Sequence, residues 1–331
     1  MFKIRPFEAT DAEYTRVVEI HNACWPDDPN TVENMKHSDK MRNPKYLHQR
    51  WMIELADTSG KVIGECWAAE SAWSYEAGKY NVGFRVDPEF AHLEFSPDGV
   101  ADTYMAFLMD FLNQREPAPK KLTDYVREDK SDRIQYYEAQ GFKSVMREQE
   151  SELDLTAFDP TPFQGATEKA KSHGIIVYGL AELKEMHEDW QNRLYDLEMK
   201  VLADVPSPSE FTPQPIEEWA KVFTYPDFLE EGWYIAVDHE DGDKYVGITN
   251  IWNNKPNPEK LYTGLTGTRR ESRRKGIATA LKLRALAFAK ERGAKRLVTE
   301  NEENNPMYQI NVRLGFKAIP AWLAFQKEIK G

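Results

Sequence analysis

The run Thr266-Gly267-Thr268-Arg269-Arg270-Glu271-Ser272-Arg273-Arg274-Lys275-Gly276-Ile277-Ala278-Thr279 gathers the residue types that hold a phosphorylated ligand. A Thr/Gly strand leads into a basic turn, and the turn into a helix that opens on Gly276 and Ala278. The first turn of a helix has N–H groups without internal partners and the positive end of the dipole. Small residues there let an anion reach the backbone, and Arg273, Arg274 and Lys275 add charge; together they make a pyrophosphate cradle. The run fits neither G-x-x-x-x-G-K-[ST] nor G-x-G-x-x-G, which excludes a Walker loop and the dinucleotide fingerprint. From Arg269 to Arg296 eleven basic residues face two glutamates, a balance of +9 that leaves −21 elsewhere in a chain of net charge −12. A solvated basic helix would show the same charge but would not need the glycine set inside it.

Arg273-x-x-Gly276-x-Ala278 resembles the [QR]-x-x-G-x-[GA] pyrophosphate motif of the GNAT acyltransferases, which bind acyl-coenzyme A. Downstream, Asn304-x-x-Met307-x-x-Ile310-Asn311-x-x-x-Gly315-Phe316 resembles the family's N-x-x-A-x-x-L-Y-x-x-x-G-F segment, which lies beside the pantetheine arm. The resemblance spans most of residues 175–329 and implies acetyl-CoA as co-substrate, with no metal. Its contacts would come from Thr266, Gly267, Thr268, Arg273, Arg274, Lys275, Gly276, Ile277, Ala278, Thr279, Asn304 and Asn311. The implied reaction is direct transfer of an acetyl group to a primary amine of a small molecule or peptide, without a covalent intermediate. A non-catalytic acyl-CoA sensor or scaffold is the alternative.

Such a transfer needs an oxyanion donor, for which the N–H of Thr268 in a splayed strand can serve. It also needs a neutral amine, hence a base for a group of intrinsic pKa ~10. Glu300, at the end of its strand, is the candidate; Glu271 reads as a moderator of the arginines. Asn311 stands at the family's tyrosine position and cannot give up a proton, though it can hold a water or the sulfur by hydrogen bonding. Tyr308, four residues after Asn304 and three before Asn311, shares their expected helical face and reads equally as an acid or as core packing. The acceptor pocket is expected from the loop of residues 202–208 and the strand of residues 248–253. Asp204 and Trp252 there would bind a cationic or ring-bearing amine; a turn residue and a core aromatic are the alternatives.

These residues need elements to position them. Tyr137-Glu138-Ala139-Gln140-Gly141-Phe142-Lys143 is echoed 174 residues later by Asn311-Val312-Arg313-Leu314-Gly315-Phe316-Lys317, and each half begins with a short apolar strand before an amphipathic helix. A repeat this long is a duplicated domain. The expectation is an α/β chain of two tandem GNAT-like domains, each a mixed, mostly antiparallel sheet flanked by helices. Residues 1–158 form a degenerate first domain, 159–173 a Pro/Gly-bearing linker, and 174–331 the acyl-CoA-binding domain. In the second, strands are expected over 233–237, 244–252, 261–268 and 296–299. Helices are expected over 180–202 and 274–292, the latter burying Ile277, Ala280, Leu281, Ala287 and Phe288, and a short one is opened by Asn305-Pro306. Two such domains in one chain are similar in architecture to mycothiol synthase. Counting on from Val86-Asp87-Pro88 puts Ala91, Glu94 and Ser96 where Arg273, Gly276 and Ala278 stand, and a glutamate would repel a pyrophosphate.

With 331 residues, 41% apolar, and abundant Trp, Tyr and Phe, the chain can build two cores and is not disordered. No run approaches the ~18–20 apolar residues of a membrane span, and the start of the chain lacks a signal-peptide core. Cys24 and Cys66 cannot form a disulfide framework, His21-x-x-Cys24 has no second pair at zinc spacing, and no G-x-S-x-G appears. The acidic balance argues against nucleic acid. A cytoplasmic protein, monomeric or homodimeric, with no membrane partner, is the expectation.

Overall fold

The computed structural model describes residues 2–57 and 59–329. Its elements are β1 (Phe2–Pro6), α1 (Asp11–Cys24), α2 (Val32–Met41), β2 (His48–Leu55), β3 (Val62–Ala69), β4 (Lys79–Val86), α3 (Val100–Asn113), β5 (Lys121–Arg127), α4 (Ser131–Ala139) and β6 (Lys143–Asp154). Then come α5 (Gly165–Lys171), β7 (Ile175–Gly179), α6 (Leu180–Met186), α7 (Trp190–Leu202), α8 (Ile216–Trp219), β8 (Trp233–Asp238), β9 (Lys244–Trp252) and β10 (Lys260–Thr268). The chain ends with α9 (Ile277–Glu291), β11 (Arg296–Glu302), α10 (Pro306–Leu314), β12 (Lys317–Ala318) and β13 (Trp322–Glu328). Strands and helices alternate in a mixed, mostly antiparallel α/β pattern.

Two compact units result, and neither is a contiguous half of the sequence. The first holds Met1–Arg147, Pro208–Thr212 and Trp322–Gly331; the second holds Glu148–Ser207 and Pro213–Ala321. In the first, strands run β1-β2-β3-β4-β5-β13, antiparallel except for β4 with β5. In the second they run β7-β8-β9-β10-β11-β6, antiparallel except for β10 with β11, with β12 also on β6. So each unit completes its sheet with a strand drawn from the other end of the chain. The stretch read as a linker is not irregular: α5 lies within it and packs on α9.

The repeat is visible in the backbone. Gly141 after α4 and Gly315 after α10 both take positive φ, 84° and 94°, the left-handed turn that ends a helix. Phe142 N–H then bonds the Tyr137 carbonyl and Phe316 N–H the Asn311 carbonyl, both at 3.0 Å. In each unit the parallel pair touches over three residues only: Lys79–Asn81 with Lys121–Thr123, and Lys260–Tyr262 with Arg296–Val298. Beyond them the sheet opens.

Two details differ from the periodicity reading. The helix expected over 180–202 is broken at His187–Asp189 into α6 and α7. On α9 the buried face is Ile277, Ala280, Leu281, Lys282, Ala285, Leu286 and Ala289, while Ala287 is exposed. The alanine-rich sequence tolerates either phase, and contact with β8, β9 and α5 selects the observed one.

Candidate functional site

The site is built where β10 parts from β11. Arg269 N–H bonds the Val246 carbonyl at 2.9 Å, and Gly267 pairs with Ile248 across β9. Successive N–H groups of a strand point to opposite edges, so those of Thr266 and Thr268 face the edge that β11 has left. A register shift between Thr263 and Thr266 marks the opening, and the Thr266 hydroxyl is tied to that of Thr249 at 2.8 Å. Gly267 is needed for packing, since a β-carbon there would meet Val201 Cγ1 at 2.2 Å.

From this edge the chain passes through the basic turn into α9. Gly276 is the N-cap at φ 84°, and no side chain caps the helix, which leaves its first-turn amides open. A β-carbon on Gly276 would meet the Ala166 carbonyl of α5 at 2.6 Å. A side chain there would therefore clash with α5 first rather than simply fill an anion space. Arg274 also takes positive φ, 66°, and is exposed. Arg269 is not part of the cradle: it is buried, bonded to the Tyr245 carbonyl at 2.7 Å and paired with Asp196. Lys282 is buried too, its Nζ 5.7 Å from the Phe316 ring, and burial pushes its pKa down to about 7. The basic run is thus only partly a solvated face.

Asp204 has partners other than those expected of it. It takes bonds from Arg270 Nε at 2.7 and 2.9 Å and from Arg273 Nη2 at 2.6 Å. These guanidiniums hold its pKa below the ordinary carboxylate range. An internal carboxylate occupies the arginines that the sequence offers to a phosphate. Glu271 pairs with Lys244 at 3.3 Å, and Lys244 and then Arg269 help to hold its pKa below the ordinary value.

The pantetheine-side residues do not share one face. Asn304 precedes α10, is exposed, and donates to Glu302 Oε1 at 2.7 Å. Asn305 is the cap, accepting from Met307 N–H at 2.9 Å, and Tyr308 is half-buried. Asn311 is fully buried, donates to Asn301 Oδ1 at 2.5 Å, and has an Oδ1 without a partner. A proline-opened helix starts too late to bring Asn304 onto it. Tyr137, in the matching position of the first unit, is likewise buried and bonds Asp124. Burial pushes Asp124 up to about 6.

Glu300 lies on β11 opposite Glu150 of β6, with Glu302 opposite Glu148. It is reached by solvent yet surrounded by protein. Burial, then the Glu148 and Glu150 carboxylates, push its pKa up to about 9. Trp252 is half-buried, its ring 5.9 Å from Trp233 and 6.4 Å from Phe228.

One residue the motif reading missed is Glu198 on α7. It is buried, accepts from Trp219 Nε1 at 2.6 Å, and keeps Oε1 without a partner. Burial pushes it up to about 7. A signal was present: Leu194, Leu197, Glu198 and Val201 fall on one helical stripe, so a charge interrupts an apolar face.

The first unit has the same opening, but a side chain reaches into it. Asp87 N–H bonds the Ile63 carbonyl of β3 at 2.8 Å, so Phe84 faces the edge that β5 has left, and there Arg133 Nη1 of α4 donates to the Phe84 carbonyl at 3.0 Å. α3 begins at Val100 with Gly99 as its N-cap, so Gly99, not Glu94, corresponds to Gly276 by position in the fold. Extra residues in the short helical turn of Pro88–Leu93 defeat the count from Val86. Glu94 pairs with Arg133 instead. His21 and Cys24 are engaged by backbone carbonyls of Asp28 and Val86, and no His, Cys, Asp and Glu cluster suited to a metal occurs among the described residues. No helix among them is long and apolar enough to cross a membrane.

Residues 192–316, which carry this opening and cradle, match the acetyltransferase (GNAT) family. That segment is a GNAT acetyltransferase domain, and the chain has the tandem GNAT fold. A tandem GNAT protein from the clavulanic acid biosynthesis pathway is similar over 100% of this chain and 99% of its own, with a TM-score of 0.74 at 18% identity. A GCN5-related N-acetyltransferase from Sphaerobacter thermophilus is similar over 100% and 96%, with 0.71 at 17%. A glucosamine N-acetyltransferase region of a fungal multi-domain β-N-acetylglucosaminidase is similar over 99% of this chain and 38% of that one, with 0.69 at 13%. No curated protein matches the sequence.

Proposed function

We propose that the second unit transfers an acetyl group from acetyl-CoA to a primary amine of a small molecule or peptide by direct attack. The observation that carries this reading is the open edge of β10, with Thr266 and Thr268 N–H facing it, continuing into an uncapped helix start flanked by Arg273, Arg274 and Lys275. Amides of Ile277, Ala278 and Thr279 would take the pyrophosphate, with Gly276 holding the turn. Thr268 N–H would receive the charge that grows on the thioester oxygen. Glu300 keeps a proton in the ligand-free protein; a cationic amine entering beside Glu148 and Glu150 favours its release and leaves a carboxylate to accept one. Asn304 would reach the pantetheine arm after leaving Glu302, and Trp252 would flank the acceptor. Thiolate departs with a pKa near ~8.5 and needs no dedicated acid, so neither Tyr308 nor Asn311 is assigned as one.

Thiol release from acetyl-CoA against a panel of amines, aminoglycosides, amino acids and peptides tests the reading. Turnover with at least one acceptor is expected. Coenzyme A binding without turnover for any acceptor would return the protein to the sensor reading.

A further inference from the structure

The buried face of α7 carries a carboxylate that no cation among the described residues meets. Glu198 Oε2 accepts from the Trp219 indole, and Oε1 has no partner. A buried charged oxygen left unbonded costs several kcal/mol in general, so such a group is kept either neutral or for a guest. In the same aromatic cluster the Trp233 indole N–H is buried and also unbonded. Rings link the two: Trp219 to Phe223 at 5.2 Å and Phe223 to Trp233 at 5.8 Å. Trp233 in turn touches Trp252 at 5.9 Å. The cluster therefore holds one orphan acceptor and one orphan donor among aromatic faces that favour a cation.

Its position is over the opening. Asp196, two residues before Glu198, holds Arg269, and Val201, three residues after it, lies against Gly267. Glu198 therefore lies on α7 between contacts to the two residues that flank Thr268. Leu265, inside the bulge between Thr263 and Thr266, packs on the same cluster.

We propose that Glu198 and Trp233 form the acceptor subsite, Glu198 Oε1 receiving the ammonium and the Trp233 indole donating to an oxygen a few bonds away. The guest class is then an amino alcohol or amino sugar. This deepens the acyltransferase reading and rests on it for the identity of the second substrate. Glu198 is held near neutrality while the subsite is empty, and an ammonium would favour its ionised form, so occupancy releases a proton.

Binding of 2-aminoethanol to the full chain, followed by tryptophan fluorescence and by calorimetry in buffers of different ionisation enthalpy, tests this. Saturable binding is expected, with release of about half a proton at pH 7. Propylamine, which lacks the oxygen, and ethylene glycol, which lacks the ammonium, should each bind at least tenfold more weakly. Glu198→Gln keeps the bond from Trp219 and should lose tenfold or more in 2-aminoethanol affinity, together with the proton release, at unchanged coenzyme A affinity. Trp233→Phe is the second variant: it should erase the preference over propylamine and keep the proton release. Equal affinity in a folded Glu198→Gln protein, or no saturable binding by the wild type, overturns the proposal. Loss of coenzyme A binding by the wild type would instead sink the acyltransferase reading.

Discussion

At the scale of single residues, charge placement decides what the cradle can hold. Arg270 and Arg273 are committed to Asp204 in the free protein, so an incoming pyrophosphate must compete with a carboxylate. Asp204→Asn removes that competitor and one negative charge from the pocket wall. Coenzyme A affinity is expected to rise about fivefold at low salt, roughly 1 kcal/mol, and the gain should shrink as salt screens it. A loss of affinity, measured by calorimetry, would show that Asp204 preorganises the arginines rather than withholding them. Glu300 gives a second test through pH. Its folded pKa is raised to about 9, whereas an unfolded glutamate ionises near ~4.3. Between those values the unfolded chain sheds a proton that the folded one keeps, so rising pH weakens the fold. Glu300→Gln removes that penalty; its melting temperature should exceed that of the wild type, by more at pH 8 than at pH 5. Melting curves with a difference independent of pH would place the Glu300 pKa near its ordinary value.

At the scale of elements, the same three-residue parallel contact opens both sheets, and what fills each opening sets the units apart. Arg133 on α4, paired with Glu94, donates to the Phe84 carbonyl at that edge in the first; in the second the N–H groups of Thr266 and Thr268 face the opening. One coenzyme A per chain is therefore expected, and a titration that ends near two equivalents would contradict this use of Arg133. Much of this level was legible in the sequence. The Thr/Gly strand, the basic turn, Gly276, and the paired Gly141-Phe142 and Gly315-Phe316 stops are local features whose backbone demands do not depend on distant packing. Asn311 and Asp204 were not legible in that way. A polar residue at a motif position looks the same whether it faces a ligand or, as here, ties α10 to β11 or neutralises two arginines. Glu94 misled for a related reason: counting along the chain assumes a loop of constant length, and the short helical turn before α3 changes it. Glu198 could have been found, since a carboxylate on an otherwise apolar stripe requires either a partner or a task.

At the scale of the whole molecule, the duplication does not yield two separable pieces. β13 supplies Leu323, Ala324 and Phe325 beside Val126, Tyr125 and Asp124 of β5, and Phe325 is buried in the first unit's core against Tyr137 at 6.1 Å. β6, from the first half of the sequence, pairs along all seven residues of β11 and brings Leu153 into the second unit's core. A cut in the linker expected over 159–173 therefore takes from each unit a strand that is hydrogen-bonded along its length. It leaves an unpaired edge beside a bare apolar face, the condition that favours aggregation over folding. Residues 1–158 and 174–331 expressed alone should each be insoluble or lack a cooperative melt, whereas co-expression should recover a one-to-one complex that binds coenzyme A. A permuted or truncated chain that keeps both exchanged strands should fold as the intact one does. The decisive measurement is on residues 174–331 by themselves. A soluble fragment with a sharp thermal transition and intact coenzyme A affinity would mean that β6 is dispensable to the second sheet, and that the exchange of strands between the halves carries none of the stability assigned to it.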